Sequence, residues 1–206
     1  MIAIIDYGAG NIGSVVNAVH KLGYGLQVTD SPEKVLKADA VILPGVGEAG
    51  NTMSRLEIIG MSKVIRKLVE ENRPLFAICV GFQILLSNTE EGGGHECLNI
   101  LPGMVRRLPT GLKIPHMGWN QVKQKCNHSI FDGIPDEANF YFVHSYYTDP
   151  VNASLIAGTT NYGISFCSMI IKGNLIATQF HPEKSGGHGL RMYSNFLEMT
   201  CKRGCE

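Results

Sequence analysis

The first half of the chain alternates short, uninterrupted apolar runs with segments of helical periodicity. The apolar runs occupy residues 2–5, 40–43 and 75–78, and a further strand is predicted at residues 26–28. Runs of this kind are typical of strands buried on both faces, as in parallel sheets. Apolar residues at helical spacing, as in residues 12–22 and 61–69, lie between them. Because parallel strands need crossover connections, this order predicts a parallel sheet with helices on both of its faces.

The second half has a different pattern, in which strand-like segments follow one another directly. Strands are predicted at residues 119–122, 139–147, 154–157, 164–171 and 175–180, and a closing helix at residues 190–197. Turn sequences such as Lys172-Gly173-Asn174 indicate hairpins added to the parallel core. We therefore expect one α/β domain over residues 1–206. Its mixed, mostly parallel sheet is flanked by helices, with added antiparallel strands in the second half.

The composition excludes several classes of function. The chain has 18 Lys plus Arg and 18 Asp plus Glu, so it lacks the basic excess typical of nucleic-acid or membrane binding. The N-terminal apolar run is too short for a signal peptide, and no run approaches the roughly 20 residues that cross a bilayer. We expect a cytoplasmic protein. Its six cysteines contain no Cys-x-x-Cys pair, so no metal site is predicted.

The most informative segment is residues 74–83, where a predicted strand runs into Cys79 and a helix over residues 80–86 begins directly behind it. This order is typical of a nucleophile elbow, and Ala77 and Gly81 are small enough for a tight turn. The N-terminus of the helix would favour the thiolate form of the cysteine. The alternative is that Cys79 is a small buried side chain, as unpaired cysteines commonly are.

A thiol nucleophile needs a base, and the base needs an orienting partner. His181 and Glu183 follow the strand that is predicted to end at residue 180. Since the carboxyl ends of parallel strands share one edge of a sheet, His181 is expected to reach Cys79 if the two strands are neighbours. Taken alone, a His-x-Glu pair is more often a loop histidine beside an exposed glutamate. The hypothesis therefore depends on the combination of the two segments.

These segments resemble the class I, triad-type glutamine amidotransferases. The resemblance runs the full length of the chain and rests on residues 5–11, 43–47, 74–83, 115–120, 141–146 and 181–185. Residues 115–120 and 141–146 resemble, more specifically, glutaminase subunits that work beside a (β/α)8 cyclase in histidine biosynthesis. The resemblance implies a flavodoxin-like fold, hydrolysis of L-glutamine to glutamate and ammonia, and no metal or organic cofactor.

The resemblance also implies a heterodimer, in which the cyclase subunit uses the ammonia to make imidazole glycerol phosphate and aminoimidazole carboxamide ribotide. Two alternatives stay open. A paralogous glutaminase that serves a different synthase would look almost the same in sequence. The other is a scaffold that keeps the fold without the activity, and the intact Cys79, His181 and Glu183 argue against it.

The roles implied for individual residues follow the family pattern. Cys79 attacks the carboxamide, His181 transfers protons and Glu183 orients His181. Backbone N–H groups of Val80 and of the loop at residues 45–47 hold the oxyanion. The residues implied for glutamine binding are Gly45, Val46, Gly47, Val80, Gln83, Ser145 and Tyr146.

Two positions depart from the family's usual elbow, which has Gly where Ala77 stands and Leu where Val80 stands. We expect the methyl group of Ala77 to lie at the tightest approach of the turn and to loosen the elbow slightly. No chemical group is lost by either change, so activity is expected to survive.

Four residues resemble family positions that face the cyclase subunit: Met117, Trp119, Tyr141 and Lys184. The ordinary interpretation is different, because aromatic residues on strands are more often part of the core than of an interface. For Trp119 and Tyr141 the sequence pattern alone therefore favours burial.

A second pattern competes for the N-terminal segment. Gly8-x-Gly10-x-x-Gly13 follows the first strand, and Asp30 follows the second, as in a dinucleotide-binding fingerprint. A short gap that includes Asp6 separates the strand from the first glycine, and its carboxylate would lie near the pyrophosphate. Dinucleotide binding is therefore the remote alternative.

Overall fold

The computed structural model describes residues 1–8 and 12–201. Its strands are β1 (Ile2–Ile5), β2 (Leu26–Thr29), β3 (Ala40–Leu43), β4 (Leu75–Ile78), β5 (Asn88–Thr89), β6 (His95–Glu96), β7 (Gly103–Arg107), β8 (His116–Gln124), β9 (Ala138–His144), β10 (Tyr146–Pro150), β11 (Ile156–Tyr162), β12 (Ile164–Lys172) and β13 (Leu175–Thr178). The four predicted parallel strands are thus confirmed as β1 to β4.

The α-helices are α1 (Ile12–Lys21), α2 (Pro32–Lys37), α3 (Ala49–Ile58), α4 (Met61–Glu70), α5 (Val80–Gln83) and α6 (Gly186–Cys201). Short 3-10 helices lie at Glu91–Gly93, Ser129–Phe131, Ala153–Leu155 and Pro182–Lys184. Within the described ranges, no helix combines the length and the apolar character needed to span a membrane.

The sheet follows the strand order β2-β1-β3-β4-β13-β12-β10-β7-β5-β6, and β11, β8 and β9 branch from it. The five strands from β2 to β13 pair in parallel. From β13 onward, the pairs β13–β12, β12–β10 and β10–β7 are antiparallel. The prediction of a mixed α/β sheet with added antiparallel strands is therefore confirmed.

The position of β13 matters most for the site. This strand lies between β4 and β12, with Thr178 opposite Ile78 in the parallel register. The Cys79 N–H extends the ladder by donating to the Thr178 carbonyl at 2.7 Å. The residues that follow β13 therefore lie beside Cys79, as the sequence hypothesis required.

The core explains the uninterrupted apolar runs. Every residue of β1, β3, β4 and β13 is buried, because helices or loops cover both faces of these strands. Burying one large aliphatic side chain contributes roughly 1.5–3 kcal/mol, so these strands are a large part of the driving force for folding. The buried apolar side chains form one cluster that extends from Ile2 to Leu197. The single domain over residues 1–206 stays a prediction.

Two helices differ from the sequence expectation. Helix α3 was not predicted, because its buried positions are Ala49, Thr52 and Leu56, which do not form an apolar stripe. The helix expected over residues 80–86 ends at residue 83. Beyond it, the N–H groups of Leu85 and Leu86 donate to carbonyls three residues earlier, so the chain tightens into turns.

Two strands also differ. The strand expected over residues 139–147 is broken at Ser145, where β9 ends and β10 begins. Strand β9 pairs with β8, whereas β10 pairs with β7 and β12, so the chain changes partners at this residue. The first half of the strand expected over residues 154–157 lies in the 3-10 helix Ala153–Leu155, and its second half begins β11. The side chain of Asn152 caps it by accepting a hydrogen bond from the Ser154 N–H at 3.0 Å.

Candidate active site

Cys79 stands in a strained turn between β4 and α5. Its backbone has φ 54° and ψ −109°, a combination that residues other than glycine rarely adopt. The turn after β3 packs directly against it. A Cβ at Gly81 would lie 2.5 Å from the Leu43 carbonyl oxygen, and one at Gly45 would lie 2.2 Å from the Gly81 nitrogen. The predicted nucleophile elbow is therefore present, and two glycines permit its close packing.

Ala77 does not lie at this close approach, so the sequence expectation for it was wrong. It is a fully buried residue in the middle of the β4 ladder, opposite Ala177 on one side and Leu43 on the other. The tight contacts belong to Gly45 and Gly81 instead. The methyl group of Ala77 thus has an ordinary strand environment.

His181 and Glu183 form a buried pair in the turn that follows β13. The His181 Nδ1 lies 2.7 Å from the Glu183 Oε1, and each side chain is only 1% exposed. Because a carboxylate accepts, Nδ1 carries the proton, and the ring is fixed in one orientation. Among the described residues the His181 Nε2 makes no hydrogen bond of good geometry, but the ring is close enough to Cys79 for the two side chains to interact.

The surroundings of His181 favour its protonated form. Burial alone lowers the pKa of His181, but the negative charge of Cys79 and the hydrogen bond with Glu183 outweigh it and raise the pKa to about 10. The site is thus suited to a thiolate beside an imidazolium. A thiolate is the reactive form of cysteine, and an imidazolium can donate a proton to a leaving group.

Cys79 and His181 line one cavity of about 330 Å³. Of the residues predicted to bind glutamine, those that line it are Val46, Gly47, Val80, Gln83, Ser145 and Tyr146. Gly45 lies behind this wall, against the elbow backbone. Gly47 has φ +101°, a conformation that glycine adopts without strain.

The side chain of Gln83 is held from within the protein. Its Nε2 donates to the Tyr146 carbonyl at 2.9 Å and to the Gln179 Oε1 at 3.1 Å. The Gln179 Nε2 in turn lies 3.6 Å from the sulfur of Cys79. Sequence reasoning missed Gln179. Strand alternation was the available signal, since residues two apart at the end of β13 lie on the same side, which places Gln179 with His181.

Comparison with known proteins agrees with this geometry. The model of the family described as glutamine amidotransferase class-I matches residues 3–199. The chain belongs to this family. The amidotransferase prediction made from the sequence is therefore confirmed.

Several curated relatives of this amidotransferase carry the name imidazole glycerol phosphate synthase subunit HisH. The protein of that name from Dehalococcoides mccartyi is 58% identical over 200 residues, which cover 97% of this chain and 98% of that protein. The one from Chloroflexus aurantiacus is 50% identical, with 97% and 96% covered. The one from Moorella thermoacetica is 49% identical, with 98% and 97% covered.

Solved structures support the amidotransferase fold. A structure described as a glutamine amidotransferase matches with a TM-score of 0.76 at 20% identity and covers 98% of this chain and 100% of its own. The PurLQS structure from Thermotoga maritima matches with a TM-score of 0.76 at 15% identity and covers 96% and 97%.

An acidic side chain in the amidotransferase cavity also escaped sequence reasoning. Glu91 lines the cavity, and its Oε2 accepts a hydrogen bond from the Ala49 N–H at 2.7 Å, at the start of α3. Burial raises the pKa of Glu91, and the hydrogen bond from Ala49 partly opposes this. Among the described lining residues, Glu91 is the one carboxylate. The sequence offered no signal, because its place depends on the unpredicted α3.

Two buried histidines lie next to each other at the cavity, where His144 lines it and His116 contacts His144. The His116 Nδ1 is 2.9 Å from the His144 Nε2, and the His144 Nδ1 is 2.8 Å from the Tyr146 carbonyl oxygen. Burial lowers the pKa of His116 to about 4. Burial, opposed by the hydrogen bond to Tyr146, lowers the pKa of His144 to about 3. Both imidazoles are therefore neutral at ordinary pH.

Of the residues predicted to face a partner, Met117, Trp119 and Tyr141 lie on the β8–β9 hairpin, and Lys184 lies on the 3-10 helix Pro182–Lys184. Met117 is 62% exposed and Trp119 is 58% exposed, so the sequence pattern that favoured burial for Trp119 was misleading. Trp119 meets Tyr141 edge to face at 6.1 Å, and the Lys184 Nζ lies 6.0 Å from the centre of the Tyr141 ring. Exposed apolar groups of this kind are typical of binding surfaces.

The N-terminal glycine pattern has no confirmed role. The Asp6 Oδ1 accepts the Gly8 N–H at 2.8 Å, so this carboxylate occupies a backbone donor that a phosphate loop would offer. Gly10 lies outside the described residues. Within residues 1–8 and 12–201, no group of three His, Cys, Asp or Glu side chains is placed to hold a metal ion.

Proposed function

We propose that this amidotransferase is the glutaminase subunit of an imidazole glycerol phosphate synthase. It hydrolyses L-glutamine to glutamate and ammonia and passes the ammonia to a (β/α)8 cyclase subunit in the cytoplasm. The observation that carries the proposal is the strained Cys79 in one cavity with the buried His181–Glu183 pair. The identity of about half or more to proteins named as such subunits supports the choice of pathway.

The geometry suits a two-step acyl transfer. The Cys79 thiolate attacks the carboxamide carbon of glutamine, and the carbonyl electrons move onto oxygen. His181 gives its Nε2 proton to the carboxamide nitrogen, and the C–N bond breaks. Ammonia departs, and a glutamyl thioester remains on Cys79. Water then attacks the thioester and returns a proton to His181. The C–S bond breaks, glutamate leaves and the thiolate is restored.

The oxyanion of each step is assigned to backbone donors. The Val80 N–H stands at the start of α5, directly after the nucleophile, and the loop of Gly45, Val46 and Gly47 packs against the same turn. Each donor aimed at a developing oxyanion contributes roughly 3 kcal/mol. Because Gly45 supports the elbow from behind, Val46 and Gly47 are the better candidates for the second donor.

Recognition of the amino-acid part of glutamine is assigned to polar residues of the cavity lining. The α-ammonium group of the substrate is positive, and Glu91 is the carboxylate that lines the cavity among the described residues. Ser145 and Tyr146 line the same cavity. The exposed surface of Met117, Trp119, Tyr141 and Lys184 is assigned to the cyclase subunit.

The test is glutamate release from L-glutamine by the chain alone and with the histidine-pathway cyclase and its nucleotide ligand. We expect low release alone and a large rise with both present. Cys79→Ala should abolish glutamine-dependent synthesis and leave ammonia-dependent synthesis by the cyclase intact. Release that persists in Cys79→Ala would contradict the mechanism. No rise with this cyclase, from a chain whose Cys79 is reduced, would instead indicate a different synthase partner.

A further inference from the structure

The Tyr146 carbonyl fixes the orientation of the Gln83 amide. A backbone carbonyl can only accept hydrogen bonds, so the group 2.9 Å from it must be the Gln83 Nε2 rather than its oxygen. The second Nε2 proton is directed to the Gln179 Oε1 at 3.1 Å. Both donors of Gln83 are thus used inside the protein.

This arrangement decides which atom of Gln179 faces the nucleophile. Its Oε1 must face Gln83, because a flipped amide would bring two NH2 groups together. The Gln179 Nε2 is therefore the atom that lies 3.6 Å from the Cys79 sulfur, an ordinary distance for a hydrogen bond to sulfur. Gln179 is fully buried, and its backbone N–H is tied to the Ser168 carbonyl at 2.9 Å. Its side chain therefore has little freedom to turn away.

The Tyr146 carbonyl also fixes the directions of a second chain of hydrogen bonds. The His144 Nδ1 must donate to Tyr146, so its Nε2 accepts from the His116 Nδ1 at 2.9 Å. The His116 Nε2 then accepts from the Asn120 Nδ2 at 3.2 Å. Both histidines are held neutral in one tautomer, and together they hold the Tyr146 carbonyl where Gln83 needs it.

A buried N–H donor changes the balance between thiol and thiolate. A hydrogen bond to an ionised acceptor is stronger than one to a neutral acceptor, so a donor fixed at the sulfur favours the thiolate. His181 supplies a charge to the same sulfur, and that charge leaves when its proton goes to ammonia. The amide of Gln179 has no proton to lose in this way. It can therefore stabilise the sulfur both as the attacking group and as the leaving group of the thioester.

We propose that Gln179 is a further catalytic residue, whose side-chain N–H holds Cys79 as a thiolate, with Gln83, Tyr146 and the two histidines as positioning residues. The proposal rests on the proposed glutaminase function, because it assigns a role within that reaction. It also predicts a property of the free chain that needs neither glutamine nor a partner.

The test is the pH dependence of Cys79 alkylation by iodoacetamide, followed by mass spectrometry of the peptide that contains Cys79. In Gln179→Met, which removes the donor, we expect the midpoint of the rate profile to rise by about one pH unit, since one hydrogen bond to a charged group is worth roughly tenfold. The plateau rate at high pH should rise about threefold, because the more basic thiolate is the better nucleophile. At a pH below the wild-type midpoint the rate should therefore fall about three- to fourfold.

The matched control is Gln121→Met, which makes the same change at an exposed position of β8 and should leave the profile unchanged. An unchanged midpoint in a folded Gln179→Met would overturn the proposal. A lower plateau at an unchanged midpoint would also overturn it, because it would mean that Gln179 only shapes the cavity. Failure of the proposed function would instead show as a wild-type chain that alkylates normally but releases no glutamate with the cyclase.

A second measurement, made on the wild-type protein, tests the proposal if Gln179→Met does not fold. In the wild-type protein labelled with nitrogen-15, the side-chain amide signal of Gln179 should shift with the same pH midpoint as the alkylation rate. The amide of Gln121 serves as the reference in the same spectrum. A Gln179 signal that does not respond across that midpoint would contradict the proposal.

Discussion

His181 and His144 line the same cavity and are both buried, yet their pKa values lie on opposite sides of the ordinary value. The pKa of His181 is raised to about 10, whereas that of His144 is lowered to about 3. Burial lowers both. The difference lies in the partners: His181 lies beside the Glu183 carboxylate and the sulfur of Cys79, and His144 lies beside a backbone carbonyl and a second neutral histidine.

The cavity is bordered by two groups of residues with different tasks, and in each group one member, Glu183 or His116, contacts a lining histidine without lining the cavity itself. The charged wall, made of Cys79, His181 and Glu183, follows the parallel strands β4 and β13. The neutral wall, made of His116 and His144 with the Tyr146 carbonyl, lies on the antiparallel strands β8, β9 and β10. The charged wall can exchange protons at ordinary pH, whereas the neutral wall can only hold position. Burial alone therefore does not indicate which histidine is reactive.

The largest effect is expected when the base is removed from the charged wall. His181→Asn should lower kcat for glutamate release with the cyclase by about 10³-fold, because general acid–base catalysis typically contributes 10²–10⁴-fold. His20→Asn, at an exposed position on α1, should leave kcat unchanged. Activity within tenfold of the wild type in His181→Asn would contradict the role of the charged wall.

The neutral wall should make the protein sensitive to acid. Unfolded histidines bind a proton below about pH 6.5. Folded His116 and His144 do so only near 4 and 3, so the unfolded state gains protons first and stability falls with pH. From pH 6.5 to 5 the loss is up to about 2 kcal/mol for each histidine. His181 acts in the other direction, with stability lost as pH rises from about 6.5 to 10.

Urea unfolding at pH 6.5 and pH 5 measures this loss. His116→Gln should reduce the difference between the two pH values, since one of the two buried neutral histidines is gone. His20→Gln should leave it unchanged. A wild-type protein equally stable at both pH values would mean that His116 and His144 are not held neutral.

The origin of the raised pKa of His181 can be tested with Cys79→Ser. Without the thiolate charge, the largest of the raising effects, the pKa of His181 should fall from about 10 by at least about one unit. Histidine imidazole titration by NMR measures it, with His144 as the internal reference on the neutral wall. A His181 pKa that stays near 10 would assign the effect to Glu183 instead.

The smallest effect is expected beneath the charged wall, in β4. Ala77→Gly should lower the free energy of unfolding by about 0.5–1 kcal/mol, because glycine weakens a strand interior. Glutamate release should stay within about twofold, since the methyl group touches the ladder rather than the turn. Urea denaturation and kcat measure the two. A large gain or loss of activity would place Ala77 at the elbow after all.

The charged wall was predictable because its signals are local. A buried run that enters Cys79 and the His181-x-Glu183 spacing both lie within a few residues. The sequence left the strand order open as a condition of the hypothesis, and the fold meets that condition by placing β13 beside β4. A short segment predicts a site reliably where it contains both the burial pattern and the reactive side chains.

The neutral wall was not predictable, because it depends on contacts between distant segments. The change of sheet partner at Ser145 has no periodic signal, since both β9 and β10 are strand-like. The residues around Gln179 in the sequence give no indication that the Gln83 amide donates a hydrogen bond to its side chain. Glu91 depends on α3, whose buried side chains are too small and polar to show a stripe.

The central position of β13 also has a consequence for the order of assembly. Cys79 and Gln179 are 100 positions apart in the chain, and β13, which directly precedes Gln179, is inserted between β4 and β12. Before that insertion, one edge of β4 lacks its partner and is open to pairing with other chains. Contacts of such long range form slowly. Cys79 and His181 therefore come together only when the two halves of the sheet have paired. A reactive Cys79 thus indicates that the sheet has formed completely.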